Sequence, residues 1–273
     1  MAKKALLVGI NRYPDPSNGL QGCVNDVLQI RETLERHFGF TDPGCVRPLT
    51  DGRATRKAIL DGLAWLTAGA APGDSLVFHY SGHGSQVPDR HGDERDGLDE
   101  ILCPFDLDWD HPLTDDELAA AVSGVPKGAL LTVLLDCCHS GTGLRVPTGS
   151  GSATRPRFLP HPEAPANGRR PVRRFGVSVT KTNAVLIAAC RDDQTSADAL
   201  IGGKYRGAHT YHLWRALRDE NWSATYRGLV AAAGEGLSRA GFDQVPQLEG
   251  PSRLLDTFVF QPGPTVDAVR TAG

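Results

Sequence analysis

The sequence predicts an α/β fold: an open, mainly parallel β-sheet flanked by α-helices in a three-layer sandwich. Two observations predict it. Apolar, β-branched runs alternate with stretches of helical periodicity along the chain, the pattern of βαβ units. Two of those runs also break off into glycine-containing motifs, His-Tyr-Ser-Gly-His-Gly at 79–84 and Asp-Cys-Cys-His-Ser-Gly at 136–141. Strand ends are where open α/β sheets keep their chemistry.

Taken in order, Ala5–Ile10 reads as the first strand, and Gly22–Phe38 as a helix with apolar residues at Val24, Val27, Leu28, Ile30, Leu34 and Phe38, stopped by Gly39. A short strand follows near Val46–Leu49, then a helix over 54–70 closed by Pro72 and Gly73. Ser75–Phe78 leads into the first motif, and 85–99 reads as a charged loop. A helix over Asp115–Val122 and a strand over Ala129–Leu135 lead to the second motif. From Gly141 to Lys181 the chain is rich in Pro, Gly, Ser and Arg and loses periodicity, so it reads as an exposed connection. Order resumes with a buried strand at Ala184–Cys190, helices near 208–219 and 223–240, and a last strand near Asp256–Phe260. The organisation expected is one domain over 1–273, with a larger N-terminal portion (1–141), a linker (142–181), a smaller C-terminal portion (182–262) and a tail (263–273).

Composition narrows the classes. Of 273 residues 40% are hydrophobic and 22% charged, with a net charge of −3, which points away from a nucleic-acid binder and from a disordered acidic chain. The Met1–Lys4 start and the short apolar run after it do not form a signal peptide, and no stretch approaches a membrane span. A cytoplasmic location without membrane partners is expected. Six cysteines without a Cys-x-x-Cys pair read as free thiols. A histidine and a cysteine at neighbouring strand ends supply a base and a soft nucleophile, the minimum for thiol acyl transfer.

The two motifs resemble those of the caspase-like clan, and within it a bacterial-type metacaspase of peptidase family C14. The interval from His83 to Cys138 agrees with the roughly 50 residues from histidine to cysteine in caspases. Leu7–Asn11, Gly22–Asp26, Thr114–Leu118 and Pro246–Gly250 also resemble family landmarks. The resemblance covers nearly the whole chain and implies a caspase-like sheet and a cysteine endopeptidase that works through an acyl-enzyme, with Cys138 as nucleophile and His83 as base. The backbone amides of Gly84 and Cys138 are expected to face the attacked carbonyl as oxyanion donors. His79 lacks the glutamate of a helical zinc motif and reads as structural. His139 is expected to turn away from Cys138 along an extended backbone.

The resemblance further implies an acidic S1 pocket that takes Arg or Lys, at Cys23, Asp26, Ser81 and Asp136. Asp136 lies two residues before Cys138 and so shares its face on a strand. Calcium ligands would match Asp99, Asp115 and Asp116, but Arg145 stands where a further carboxylate is implied, and a cation there opposes a hard divalent ion. Thr114 and Glu117 also read as a capping box, which gives Asp115 and Asp116 an ordinary role at a helix start. No cofactor is therefore required in this reading, although oxygens of Asp89, Asp93 and Asp96 leave a weaker calcium site open. Arg145, Arg155, Arg157, Arg169, Arg170, Arg173, Arg174 and Lys181 in the linker are candidate self-processing sites. Peptide or protein substrates with Arg or Lys at P1 and a monomeric state are expected. The alternative is a catalytically silent caspase-like scaffold or regulatory module. A serine hydrolase is disfavoured because no Gly-x-Ser-x-Gly elbow is present.

Overall fold

The computed structural model describes residues 1–89, 97–138, 154–162, 183–191 and 194–261. His139, Asp93, Asp96, Arg145, most of the linker arginines and the expected tail lie outside them. The strands in chain order are β1 (Lys3–Gly9), β2 (Val46–Thr50), β3 (Ser75–Ser81), β4 (Gly84–Pro88), β5 (Leu98–Leu102), β6 (Leu113–Thr114), β7 (Leu130–Asp136), β8 (Arg155–Pro156), β9 (Ala184–Ala188), β10 (Ala197–Ile201), β11 (Lys204–Gly207) and β12 (Gln247–Glu249). The helices are α1 (Cys23–His37), α2 (Arg56–Thr67), α3 (Asp115–Val122), α4 (Ala208–Asp219), α5 (Tyr226–Arg239) and α6 (Ser252–Leu255). Among the described residues no helix is long and apolar enough to cross a membrane.

A six-stranded sheet in the order β12-β9-β7-β3-β1-β2 carries the fold, parallel except for β12 at its edge. Period-two alternation gives it two apolar faces. Leu6, Val8, Leu76, Phe78, Leu131 and Val133 pack on one side with Ile59 and Leu63 of α2 and Leu118 of α3. Ala5, Leu7, Val77, Leu130 and Leu134 pack on the other with Ile30 and Leu34 of α1, Leu213 of α4 and Leu229 of α5. The expected three-layer caspase-like α/β architecture is the one observed.

The same alternation sorts the two adjacent cysteines. Cys137 falls on the α2 and α3 face and joins that core. Asp136 and Cys138, one step to either side, take the opposite face, towards α1 and α4. Register finishes the placement, because β3 and β7 run parallel with Ser81 opposite Asp136. Both motifs therefore leave the sheet side by side at its carboxyl edge.

Three local expectations differ from the structure. The charged segment after His83 is not all loop, since Gly84–Pro88 and Leu98–Leu102 pair as the antiparallel strands β4 and β5. The last expected strand reduces to an isolated bridge between Thr225 and Phe258, preceded by α6. The linker is not exposed throughout: β8 pairs with β10, and Arg157 is fully buried. Each of these elements depends on a partner distant in the chain, which local periodicity does not report.

Candidate active site

The α1 helix begins where the pocket needs it. Asn11 Oδ1 accepts from the amides of Cys23 and Val24 at 2.8 and 3.3 Å, and Asp198 accepts from those of Gln21 and Gly22 at 2.7 and 2.9 Å. These bonds satisfy amides at the start of α1 that have no partner within the helix. They also bring Asp26, in its first turn, over Ser81 and Asp136.

Into this cup reaches Arg157. Its Nη2 lies 2.8 Å from Asp26 Oδ2 and 3.2 Å from Asp198 Oδ1, and its Nη1 lies 2.7 Å from Ser81 Oγ and 3.2 Å from Asp136 Oδ1. Ser81 Oγ in turn donates to Asp26 at 2.8 Å. Gly207 closes the cup, with its amide donating to both Asp26 oxygens at 3.0 and 3.1 Å. Asp136 is pinned from behind by Ser196 Oγ at 2.5 Å and by the amide and hydroxyl of Thr210 at 2.9 and 2.7 Å. Cys23 lies in the same group, its thiol pushed well up by burial against the opposing pull of Arg157. Cys23, Asp26, Ser81 and Asp136 are thus brought together as the sequence predicted, and Asp198 joins them.

Burial and charge compete in this cup. Burial lifts the Asp26 carboxyl to about 6 although Arg157 pulls it down. Burial also pushes the Asp136 carboxyl up, but there Arg157, His209, Ser196 and Thr210 outweigh it and hold it at about 2. Of the two, Asp136 therefore carries the firmer negative charge. Burial works against the Arg157 charge as well, yet the carboxylates, Asp136 foremost, keep its pKa well above the ordinary value.

The backbone of Arg157 is held as firmly as its side chain. Its carbonyl oxygen accepts from the amides of Gly84 and Cys138, both at 3.1 Å, and its own amide donates to the Ser196 carbonyl at 3.0 Å. Two N–H groups converging on one carbonyl polarise it and would stabilise negative charge developing on its oxygen. The Cys138 sulfur rests against Ser196, accepting from that residue's amide and lying 3.5 Å from its carbonyl. The Cys190 thiol donates to the Gln194 carbonyl at 3.5 Å, and the neighbouring Cys138, ahead of burial, raises its pKa.

His83 is clamped at its backbone by two tyrosines: its amide donates to Tyr13 Oη at 2.9 Å, and its carbonyl accepts from Tyr80 Oη at 2.7 Å. Its ring Nε2 lies 2.8 Å from the Asn18 carbonyl, while Nδ1 is buried without a hydrogen-bond partner. A carbonyl can only accept, so Nε2 carries the proton and Nδ1 keeps a free lone pair. Burial lowers the His83 pKa to about 4, which leaves the ring neutral at pH 7 and able to take a proton. His79 is buried with neither ring nitrogen hydrogen-bonded.

The proposed calcium ligands occupy another region. Thr114 caps α3 through the Glu117 amide at 3.2 Å, as its sequence predicts. Burial raises the Asp115 carboxyl to about 7, helped by the charges of Asp116 and Asp99. Among the described residues no group of three or more His, Cys, Asp or Glu side chains is placed to hold a metal ion.

Sequence reasoning missed Asp198, Ser196, Thr210, Gly207 and Asn18, and it named Arg157 only as one of several linker arginines. No motif marks them. Asp198 and Ser196 enter through the pairing of β10 with β8, and Gly207 and Thr210 through the turn from β11 into α4.

A thiol, a neutral imidazole, paired amides and an acidic cup around one peptide carbonyl define a thiol-peptidase type of centre. The family model of the metacaspase peptidase C14 domain matches residues 3–147. The chain is 33% identical over 286 residues to Metacaspase-1 of Schizosaccharomyces pombe, covering 90% of this chain and 66% of that protein. It is 34% identical over 258 residues to Metacaspase-1 of Meyerozyma guilliermondii, covering 80% and 62%. A crystal structure of a Geobacter sulfurreducens protein superposes with a TM-score of 0.70 at 26% identity, covering 97% of this chain and all of that one. The chain belongs to the metacaspase family of cysteine peptidases. It spans somewhat under two thirds of the length of the curated relatives first compared.

Proposed function

We propose that the protein is a cysteine endopeptidase that cuts after arginine or lysine and processes itself within the 142–181 linker. The observation that carries this reading is Arg157, a linker residue whose guanidinium fills the acidic cup while its carbonyl sits between the Gly84 and Cys138 amides. That is the posture of a P1 residue ready for attack. The Cys138 thiol gives its proton to His83 Nδ1, and the sulfur attacks the Arg157 carbonyl carbon. Negative charge collects on the oxygen facing the two amides. The carbon–nitrogen bond to Phe158 breaks as His83 returns the proton to the leaving amine. Water, deprotonated by His83, then hydrolyses the thioester and regenerates the thiol.

The scheme needs only these groups and calls for no cofactor; calcium is proposed to be dispensable. The substrates are peptides or proteins, met as a monomer in the cytoplasm, with no role for nucleic acid or a membrane. The test uses purified protein on fluorogenic peptides ending in Arg, Lys or Asp, with calcium and with chelator, beside Cys138→Ala. Hydrolysis of the Arg and Lys peptides that disappears in the variant supports the reading. No hydrolysis at all removes the peptidase, and preference for Asp overturns the pocket.

A further inference from the structure

Downstream of Arg157 the chain crosses a second surface, which the reaction at Cys138 does not use. Phe158 pairs with Gly84 in a parallel bridge: the Gly84 amide donates to the Arg157 carbonyl at 3.1 Å, and the Leu159 amide donates to the Gly84 carbonyl at 3.0 Å. β4 leaves the His83 motif at Gly84, so the residues after the cut bond are laid against the start of that strand. An extended chain turns successive side chains to opposite sides. Leu159 and His161 therefore share one side, and Phe158 and Pro160 the other.

The side taken by Leu159 and His161 is apolar. Leu159, half-buried, packs against the same core as Leu107 and Trp109. The His161 ring meets the Trp109 ring edge to face, with centroids 4.8 Å apart and planes at 76°. Pro160, between them, is exposed.

The loop that carries Leu107 and Trp109 joins β5 to β6 and is braced along its length. At its start the Cys103 amide donates at 3.0 Å to the His83 carbonyl, the one that Tyr80 also holds. The Phe105 amide donates to the Ala54 carbonyl at 2.9 Å, and Asp106 accepts from the Arg56 amide at 2.7 Å, which ties the loop to the start of α2. Around Trp109, Asp108 accepts from the Asp110 amide at 2.9 Å and lies 3.0 Å from His111 Nδ1. Near the end Arg56 Nε donates to the Pro112 carbonyl at 3.2 Å. A loop braced in this way offers a fixed surface, so a bound peptide does not have to order it.

We propose that the 104–112 loop is the prime-side recognition surface of the enzyme: it takes an apolar side chain at P2′, where Leu159 lies, and an aromatic or imidazole ring at P4′ against Trp109. The inference rests on the endopeptidase reading above. Half-burying a leucine side chain corresponds to about a fivefold preference over alanine, and one edge-to-face ring contact to about as much again.

The test uses the purified full-length protein and internally quenched peptides of the 155–162 sequence, which span the cut. Leucine at P2′ is replaced by alanine or aspartate, and histidine at P4′ by phenylalanine or alanine; wild type is read beside Trp109→Ala. The expected kcat/KM falls about fivefold from leucine to alanine at P2′, and further with aspartate. At P4′ it falls about fivefold from histidine or phenylalanine to alanine in the wild type, and this ratio shrinks to about one in Trp109→Ala. The ratio compares two substrates on one enzyme, so a general loss of activity in the variant does not mimic it, and the wild-type series decides even where the variant folds poorly. Equal kcat/KM across the wild-type series, or a P4′ ratio that survives in Trp109→Ala, overturns the prime-side surface, while cleavage after Arg leaves the peptidase reading standing. Failure to cut any of the peptides removes that reading and the inference with it.

Discussion

Gly207 offers the sharpest perturbation of the pocket. Its backbone, at φ −66° and ψ 124°, suits any residue, so alanine introduces no strain in the chain itself. A methyl group there, however, would lie 2.1 Å from Asp136 Oδ2 and 2.5 Å from Arg157 Nη1. Asp136 has little freedom to withdraw, because Ser196 and Thr210 hold both of its oxygens. Both the Asp136 carboxylate and the Arg157 guanidinium beside it must nonetheless shift, which disturbs the ion pair between them. Overfilling a packed site costs about 1–3 kcal/mol, which corresponds to a drop of about 5- to 150-fold in kcat/KM if it falls on the substrate complex. The slimmer ammonium of a P1 lysine should be affected less. The assay is kcat/KM of Gly207→Ala on Arg-ending and Lys-ending peptides, with thermal melting to verify the fold. A variant that melts normally and still hydrolyses the Arg peptide at the wild-type rate would refute the placement of P1 in this cup.

Other consequences follow from the same geometry. Because burial lifts Asp26 to about 6, cleavage after Arg should weaken as the pH falls through that value and this carboxylate gains a proton; Asp26→Asn should lower kcat/KM at pH 8 and flatten the acid limb of its profile. His79, held neutral with its pKa lowered to about 3 by burial, binds a proton below about pH 6.5 only when unfolded, so its share of stability is present above that pH and lost on acidification. His79→Leu removes this dependence and two unbonded buried nitrogens. Its melting temperature should fall less steeply from pH 6.5 to 4, by the equivalent of roughly 3 kcal/mol over that span. Asp198→Asn keeps one of the two acceptors that serve the Gln21 and Gly22 amides, sets an NH2 against the other and removes one of three carboxylates around the Arg157 guanidinium; peptide assays should show at least about a tenfold loss in kcat/KM for Arg. In the calcium-independent scheme proposed, peptide hydrolysis with chelator and with calcium should agree within about twofold; calcium activation of tenfold or more would contradict it.

The regions of the fold legible in the sequence are those whose signal is local. The alternation of β1, β3 and β7 exposes their two apolar faces, and Thr114 with Glu117 marks the first turn of α3 within a residue. The strand-end motifs likewise give His83, Cys138 and Asp136, because a strand carries its own period of two. What escaped notice depends on distant partners. β8 is two residues of a proline-rich linker and becomes a strand only against β10. Asp198 looks like an ordinary strand residue until it meets the start of α1, some way back in the chain. Arg157 was one of many linker arginines, and only the cup of carboxylates assembled from α1, β3, β7 and β10 distinguishes it. The Asn18 carbonyl, which leaves the His83 Nδ1 lone pair free, is main chain and has no sequence signature at all.

The central claim is that Cys138 attacks the carbonyl of Arg157. Intact-mass analysis of the full chain after incubation, read beside Cys138→Ala and Arg157→Ala, tests it directly. The account predicts that the wild type separates into one fragment ending at Arg157 and another beginning at Phe158, while neither variant yields that pair. A wild-type chain that remains whole, or the same cut appearing in Cys138→Ala, would contradict it.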